Sequence, residues 1–173
     1  MSCALTQGHV LDCRDGIGGS KEFYIAEFDS ISAITLAAGV VTAITKLAGK
    51  QFYKYAQVKQ TSECDEALTT SEENGSVYSK QTVKIVLNKR QATVRNEIML
   101  LAKNRLIIIE VDRNGQAWIY GRQNGVLLDN GAAKSGKAMA DRNGYELQFG
   151  GFEPELAENV QASLIATLTT PGP

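Results

Sequence analysis

His9, the one histidine, stands between Cys3 and Cys13, and thiolates with an imidazole are the donor chemistry of a zinc site. Their spacing matches no zinc pattern. Asp12 and Asp15 precede a run of glycines but lack the alternating acidic ligands and terminal Glu of a calcium loop. Gly16-Ile17-Gly18-Gly19-Ser20-Lys21 has the composition of a phosphate loop. A Walker loop, however, needs Gly, four residues and Gly-Lys-Ser/Thr, and a dinucleotide loop needs a glycine where Lys21 stands. Both also require a helix next, whereas Lys21 to Phe28 reads as a strand, so these glycines are predicted to serve a turn. No serine sits in Gly-x-Ser-x-Gly, and His9 offers no credible base. Glu153 and Glu155 bracket Pro154, which marks a strand ending rather than an acid–base pair. The residues specify no catalytic, cofactor-binding or metal site, and the protein is expected not to be an enzyme.

The elements that would position such groups are short strands. Five Asn-Gly dipeptides punctuate the chain, at 74–75, 114–115, 124–125, 130–131 and 143–144. Asn-Gly is the strongest local hairpin signal, because a type I′ turn needs positive φ at both central residues. Strands are predicted at 21–28, 31–36, 40–47, 51–58 and 76–87. The last alternates Val83, Ile85 and Leu87 on one face with Thr82, Lys84 and Val86 on the other. Phe52, Tyr53 and Tyr55 make an aromatic cluster expected in the core. Ser30 to Thr45 carries no charge, yet it is shorter than the ~20 residues of a spanning helix. With Gly39 at its middle, it is predicted as a buried or interface hairpin.

From Gln91 to Lys103 the period changes. Val94, Ile98, Leu101 and Ala102 follow i, i+4, i+7, i+8, one face of a helix at about 89–103. Asn88 suits its cap, with Gln91 completing a capping box, and Asn104 suits its exit. Leu106 to Val111 is a nearly unbroken apolar run, expected of a strand covered on both faces. The Asn114-Gly115 turn returns it through Ala117-Trp118-Ile119-Tyr120. Tyr145, Leu147 and Phe149 share one face of a later strand, and Val160 to Leu168 alternates as a final one. The expected fold is mainly β, a β-sandwich or half-open barrel with one packed α-helix. Residues 1–20 read as a flexible lead-in, 21–168 as a single β-sandwich domain, and 169–173 as a tail.

Thr61 to Gly75 contains Glu63, Asp65, Glu66, Glu72 and Glu73 and no basic residue. With little to bury, it is predicted as a long loop or protruding arm. Its carboxylates are the candidate assembly interface, and a solvated linker is the alternative. Charge reversal at Glu63, Asp65 and Glu66 is expected to leave folding intact.

The 18 Lys and Arg against 19 Asp and Glu give a formal charge of −1, without the basic surplus that general nucleic-acid binding requires. Cys3, Cys13 and Cys64 are an odd number without paired spacing, so free thiols are expected rather than a disulfide framework. Met1-Ser2-Cys3-Ala4-Leu5 shows no basic segment followed by an apolar stretch, and no signal peptide is expected.

From Gly75 onward a strand, an amphipathic helix, an apolar strand, a hairpin and the small, flexible segment 131–141 lead to Gly144-Tyr145-Glu146-Leu147-Gln148-Phe149-Gly150-Gly151-Phe152-Glu153. This order resembles structural virion proteins of tailed bacteriophages, particularly the tail-tube (major tail protein) class. Asp12-Cys13-Arg14-Asp15-Gly16-Ile17-Gly18-Gly19 is also similar to phage structural proteins. The resemblance covers most of the chain. It implies a virion protein, assembled in the host cytoplasm, whose subunits join sheets into rings. The rings stack into a tube through which DNA passes without specific binding. Partners would be copies of itself and other tail proteins, with no cofactor and no membrane. A head-completion or capsid-decoration protein is the neighbouring reading. A carbohydrate- or host-binding β-sandwich is the more distant one, for which Trp118 with Tyr120 would be the aromatic platform.

Overall fold

The structure, a computed structural model, describes residues 7–9, 14 and 16–173. Cys3, Asp12, Cys13, Asp15 and most of the expected lead-in lie outside the described residues.

Two sheets make up the fold. The strands are β1 (Ser20–Glu27), β2 (Ile31–Ala37), β3 (Val40–Lys46), β4 (Tyr53–Ala56), β5 (Glu63–Ser71), β6 (Ser76–Asn88), β7 (Leu106–Asp112), β8 (Ala117–Tyr120), β9 (Leu127–Lys134), β10 (Gly144–Glu153) and β11 (Glu158–Val160). Helix α1 (Ala92–Leu101) follows β6, and a single turn, α2 (Ala162–Ile165), follows β11. A seven-stranded sheet runs β2-β3-β11-β8-β7-β1-β4, and a four-stranded sheet runs β5-β6-β10-β9. All pairings are antiparallel except β11 with β3. The expected mainly β fold with a packed helix is what the chain adopts.

Strand alternation sorts the apolar residues into two cores on opposite faces of β1, β7 and β8. Phe23, Ile25 and Ile108 pack against Val83, Ile85, Leu147 and Phe149 of the smaller sheet. Tyr24, Ile107, Ile109 and Ile119 pack on the other face with Val41, Phe52, Val160 and Leu168. The unbroken run Leu106 to Val111 is apolar because both of its faces are covered. Each fully buried Ile or Phe here contributes about 1.5–3 kcal/mol relative to exposure.

Several expectations are corrected. The stretch 61–75 is not a long loop: Glu63–Ser71 is β5, paired with β6 from Glu63↔Lys84 to Ser71↔Ser76, and Asn74-Gly75 belongs to its turn. One face of this edge strand is open to water, so its charges cost little there, and Cys64 faces the core. Val160 to Leu168 is not a strand. Val160, Leu164 and Leu168 are spaced by four, so β11 ends at Val160 and helical turns carry the buried side chains onward. The helix begins at Ala92 rather than 89, because Asn88 still pairs with Gly144 in β6; Gln91 is the cap, without a side-chain hydrogen bond. Gly131 lies inside β9 opposite Leu147, so Asn130-Gly131 is not a turn and 131–134 is strand rather than flexible segment. Gly144 opens β10 without positive φ. A Cβ there would stand 2.2 Å from the Leu87 carbonyl oxygen, so close strand approach rather than turning requires the glycine. The aromatic cluster divides: Phe52 is fully buried, whereas Tyr53 is exposed.

The uncharged stretch 30–45 is a hairpin, β2–β3, turning at Ala38 and Gly39 with φ of 51° and 77°. It lies at the edge of the larger sheet and is only partly buried. The tail is anchored as well. Lys46 Nζ donates to the carbonyls of Thr167 and Thr170 at 2.7 and 2.5 Å, and Gly172 N donates to Lys50 O at 2.8 Å.

Candidate functional site

The buried carboxylates of the sandwich are occupied by neighbouring donors, whereas the buried Ser62 Oγ and Arg113 Nη2 have no hydrogen-bond partner among the described residues. Glu110 on β7 is buried, accepting Ser20 Oγ–H at 2.5 Å and Tyr120 O–H at 3.0 Å. Burial pushes the Tyr120 hydroxyl and the neighbouring Cys64 thiol upward, which favours the protonated form of both. Ser20, in the glycine-rich segment weighed as a phosphate loop, is thus committed to Glu110, and its backbone belongs to β1. Glu153 is buried too, accepting the N–H groups of Gln123 and Asn124 at 2.8–3.2 Å and tying β10 to the segment after β8. Burial raises its pKa despite those bonds. Glu155 is exposed and lies 3.6 Å from Arg122, which pairs more closely with Glu158 at 2.5 Å. Glu153 and Glu155 line one small cavity together with Arg122 and Glu158. His9 is exposed, and no cluster of metal-binding side chains occurs among the described residues.

The outer surface carries the distinctive features. Each sheet has two open edges: β2 and β4 in the larger, β5 and β9 in the smaller. Charge guards three of them: Lys54 on β4, Glu63 and Asp65 on β5, Asp129 and Lys134 on β9. Ile31-Ser32-Ala33-Ile34-Thr35-Leu36-Ala37 of β2 has no charge and no proline, the composition of an edge left free to pair.

The β5–β6 hairpin outruns its sheet. β10 pairs with β6 only as far as Ser79, whereas β5 continues to Ser76. Leu68, level with the last β10 pair at Ser79, and Val77, just beyond it, carry on the inward-facing side of the sheet and are 55% and 56% exposed. On the other side, Tyr78 meets Phe152 edge to face, with ring centroids 5.8 Å apart.

The structure divides the acidic residues expected at an interface. Glu63 pairs with Lys84 on the outer face. Asp65 is exposed opposite Thr82. Glu66 points inward and accepts Ser79 Oγ–H and the Ala157 N–H, so it is a structural residue. Glu72 and Glu73, at the hairpin tip, are exposed and form no ion pair among the described residues.

A groove of about 310 Å³ lies at the far end of β6, between α1, β4 and β6. Tyr55, Val58, Leu87, Val94 and Ile98 line it. Sequence reasoning found the helix face and the strand alternation but not the groove, because it arises where helix and sheet edge fail to close on each other. Trp118 is half-buried against the inter-sheet core and Tyr120 is buried, so they present no aromatic platform.

Compared with protein-family models, curated proteins and solved structures, the chain matches none.

Proposed function

We propose that the protein is a structural virion subunit of the tail-tube class, assembling with copies of itself into rings that stack around a DNA passage. The observation that carries this reading is the open seven-stranded sheet, with the uncharged edge β2 at one side and the short edge β4 at the other. Two different edges on one sheet favour heterologous contacts, and a heterologous contact closes into a ring where the rotation allows. Ring closure would also satisfy the strand edge that is otherwise an aggregation hazard. A formal charge of −1 suits a passage that DNA traverses without sticking. Glu110 and Glu153, the two buried carboxylates, are engaged within the fold as structural groups.

Sedimentation velocity across a concentration series, with negative-stain microscopy, tests the proposal. Rings or tubes are the expected result. A monomer at every concentration, or a symmetric dimer that grows no further, overturns it.

A further inference from the structure

The two ends of β6 differ in charge and shape. At one end, the projecting hairpin bears Leu68 and Val77 uncovered and Glu72 and Glu73 at its tip. At the other end, 13 residues and about 40 Å away, lies the apolar groove beside α1. Lys89 and Arg90 follow β6 directly there, and Lys59 follows the groove residue Val58. All three cations are exposed and form no ion pair among the described residues. No side chain caps the N-terminus of α1, and its first turn holds no acidic residue. The positive end of the helix dipole therefore adds to Lys89 and Arg90. Glu97 is the one carboxylate lining the groove, and Tyr55 O–H contacts it at 3.5 Å.

We infer that the groove between α1, β4 and β6 receives the β5–β6 hairpin tip of a second copy of this chain. Leu68 and Val77 enter the apolar groove, while Glu72 and Glu73 face Lys89, Arg90 and Lys59. A second copy is the fitting occupant because the molecule itself carries both halves: an apolar arm with an acidic tip, and an apolar groove with a basic rim. Joining opposite ends is a heterologous contact, which repeats without limit where its rotation does not close, as the stacking of layers requires. The inference rests on the assembly reading above and names the contact that would connect one layer to the next.

Carbodiimide coupling tests it, because this reagent joins a carboxylate to a lysine amine only where the two already touch. Isotope-labelled and unlabelled protein are mixed at an assembling concentration, coupled, and analysed by mass spectrometry. The expected product is a mixed-isotope peptide pair linking Glu72 or Glu73 to Lys89 or Lys59. In parallel, Glu72→Lys with Glu73→Lys should weaken longitudinal association about tenfold or more, through like-charge contact. Adding Lys89→Glu and Arg90→Glu to that variant should restore it to within a few-fold. All four positions are exposed, so thermal unfolding should be unchanged in each variant. Assemblies that form without this cross-link, or that grow equally well from the charge-reversed protein, overturn the inference and leave the assembly reading intact. A quadruple variant as weak as the first also overturns it. Wild-type protein that stays monomeric at every concentration overturns both.

Discussion

Both carboxylate oxygens of Glu66 accept the backbone N–H of Ala157, at 3.1 and 2.9 Å. An edge strand of the smaller sheet thereby holds the segment that leads from β10 into β11, which belongs to the larger sheet. Ser79 Oγ–H is a further donor to the same carboxylate, at 3.2 Å. Glu66 thus stands apart from its acidic neighbours, and its hydrogen bonds predict that reversing its charge will disturb folding, where the sequence alone implies no effect.

Glu66→Ala leaves the Ala157 N–H and the buried Ser79 hydroxyl without their acceptor, and should cost about 1–3 kcal/mol of stability. Asp65→Ala, one residue away on the exposed face, should change stability by less than about 0.5 kcal/mol. Urea unfolding of the two variants checks this, and equal losses would remove Glu66 from its structural role.

Helix α1 presents Val94, Ile98 and Leu101 to the inter-sheet core, and Leu101 is the most deeply buried of the three. Leu101→Asp should therefore be the most damaging change on the helix, costing several kcal/mol through an unpaired buried carboxylate. Val94→Asp and Ile98→Asp, at half-buried positions, should cost less. Arg95→Asp, on the exposed face, should be mild. Thermal denaturation ranks the four, and a flat ranking would contradict the packing described here.

Glu153 predicts a pH dependence. Burial holds its folded-state pKa above the ordinary glutamate value of 4.5, so between those two values the folded protein binds more protons than the unfolded chain. Its contribution to stability is complete below the ordinary value and is lost as pH rises through the raised one. Glu153→Gln removes that titration while keeping an oxygen acceptor for Gln123 and Asn124. The stability of the wild type relative to this variant should therefore fall as pH rises from about 4.5. Chemical denaturation of both proteins at a series of pH values measures the difference, and a difference that grows with pH would refute the assignment.

Local periodicity and turn chemistry were enough to identify most strands, the amphipathic helix and the mainly β class. Val83, Ile85 and Leu87 alternate because one face of β6 packs into the inter-sheet core, and Leu106 to Val111 does not alternate because both faces of β7 are buried. Those demands act on each strand separately and leave their pattern in consecutive residues. Tertiary structure decided what depends on partners far along the chain. Glu63–Ser71 reads as a loop from its charges, yet Lys84 and Ala157, 21 and 91 residues from Glu63 and Glu66 respectively, accommodate those charges in a paired strand. Gly131 and Gly144 look like turn glycines, but the register with Leu147 and Asn88 places them in strands. Val160, Leu164 and Leu168 fit a period of two or four equally well, and only the core they fill selects four. The groove beside α1 has no sequence pattern, since it is the space left between elements whose separate patterns are each satisfied.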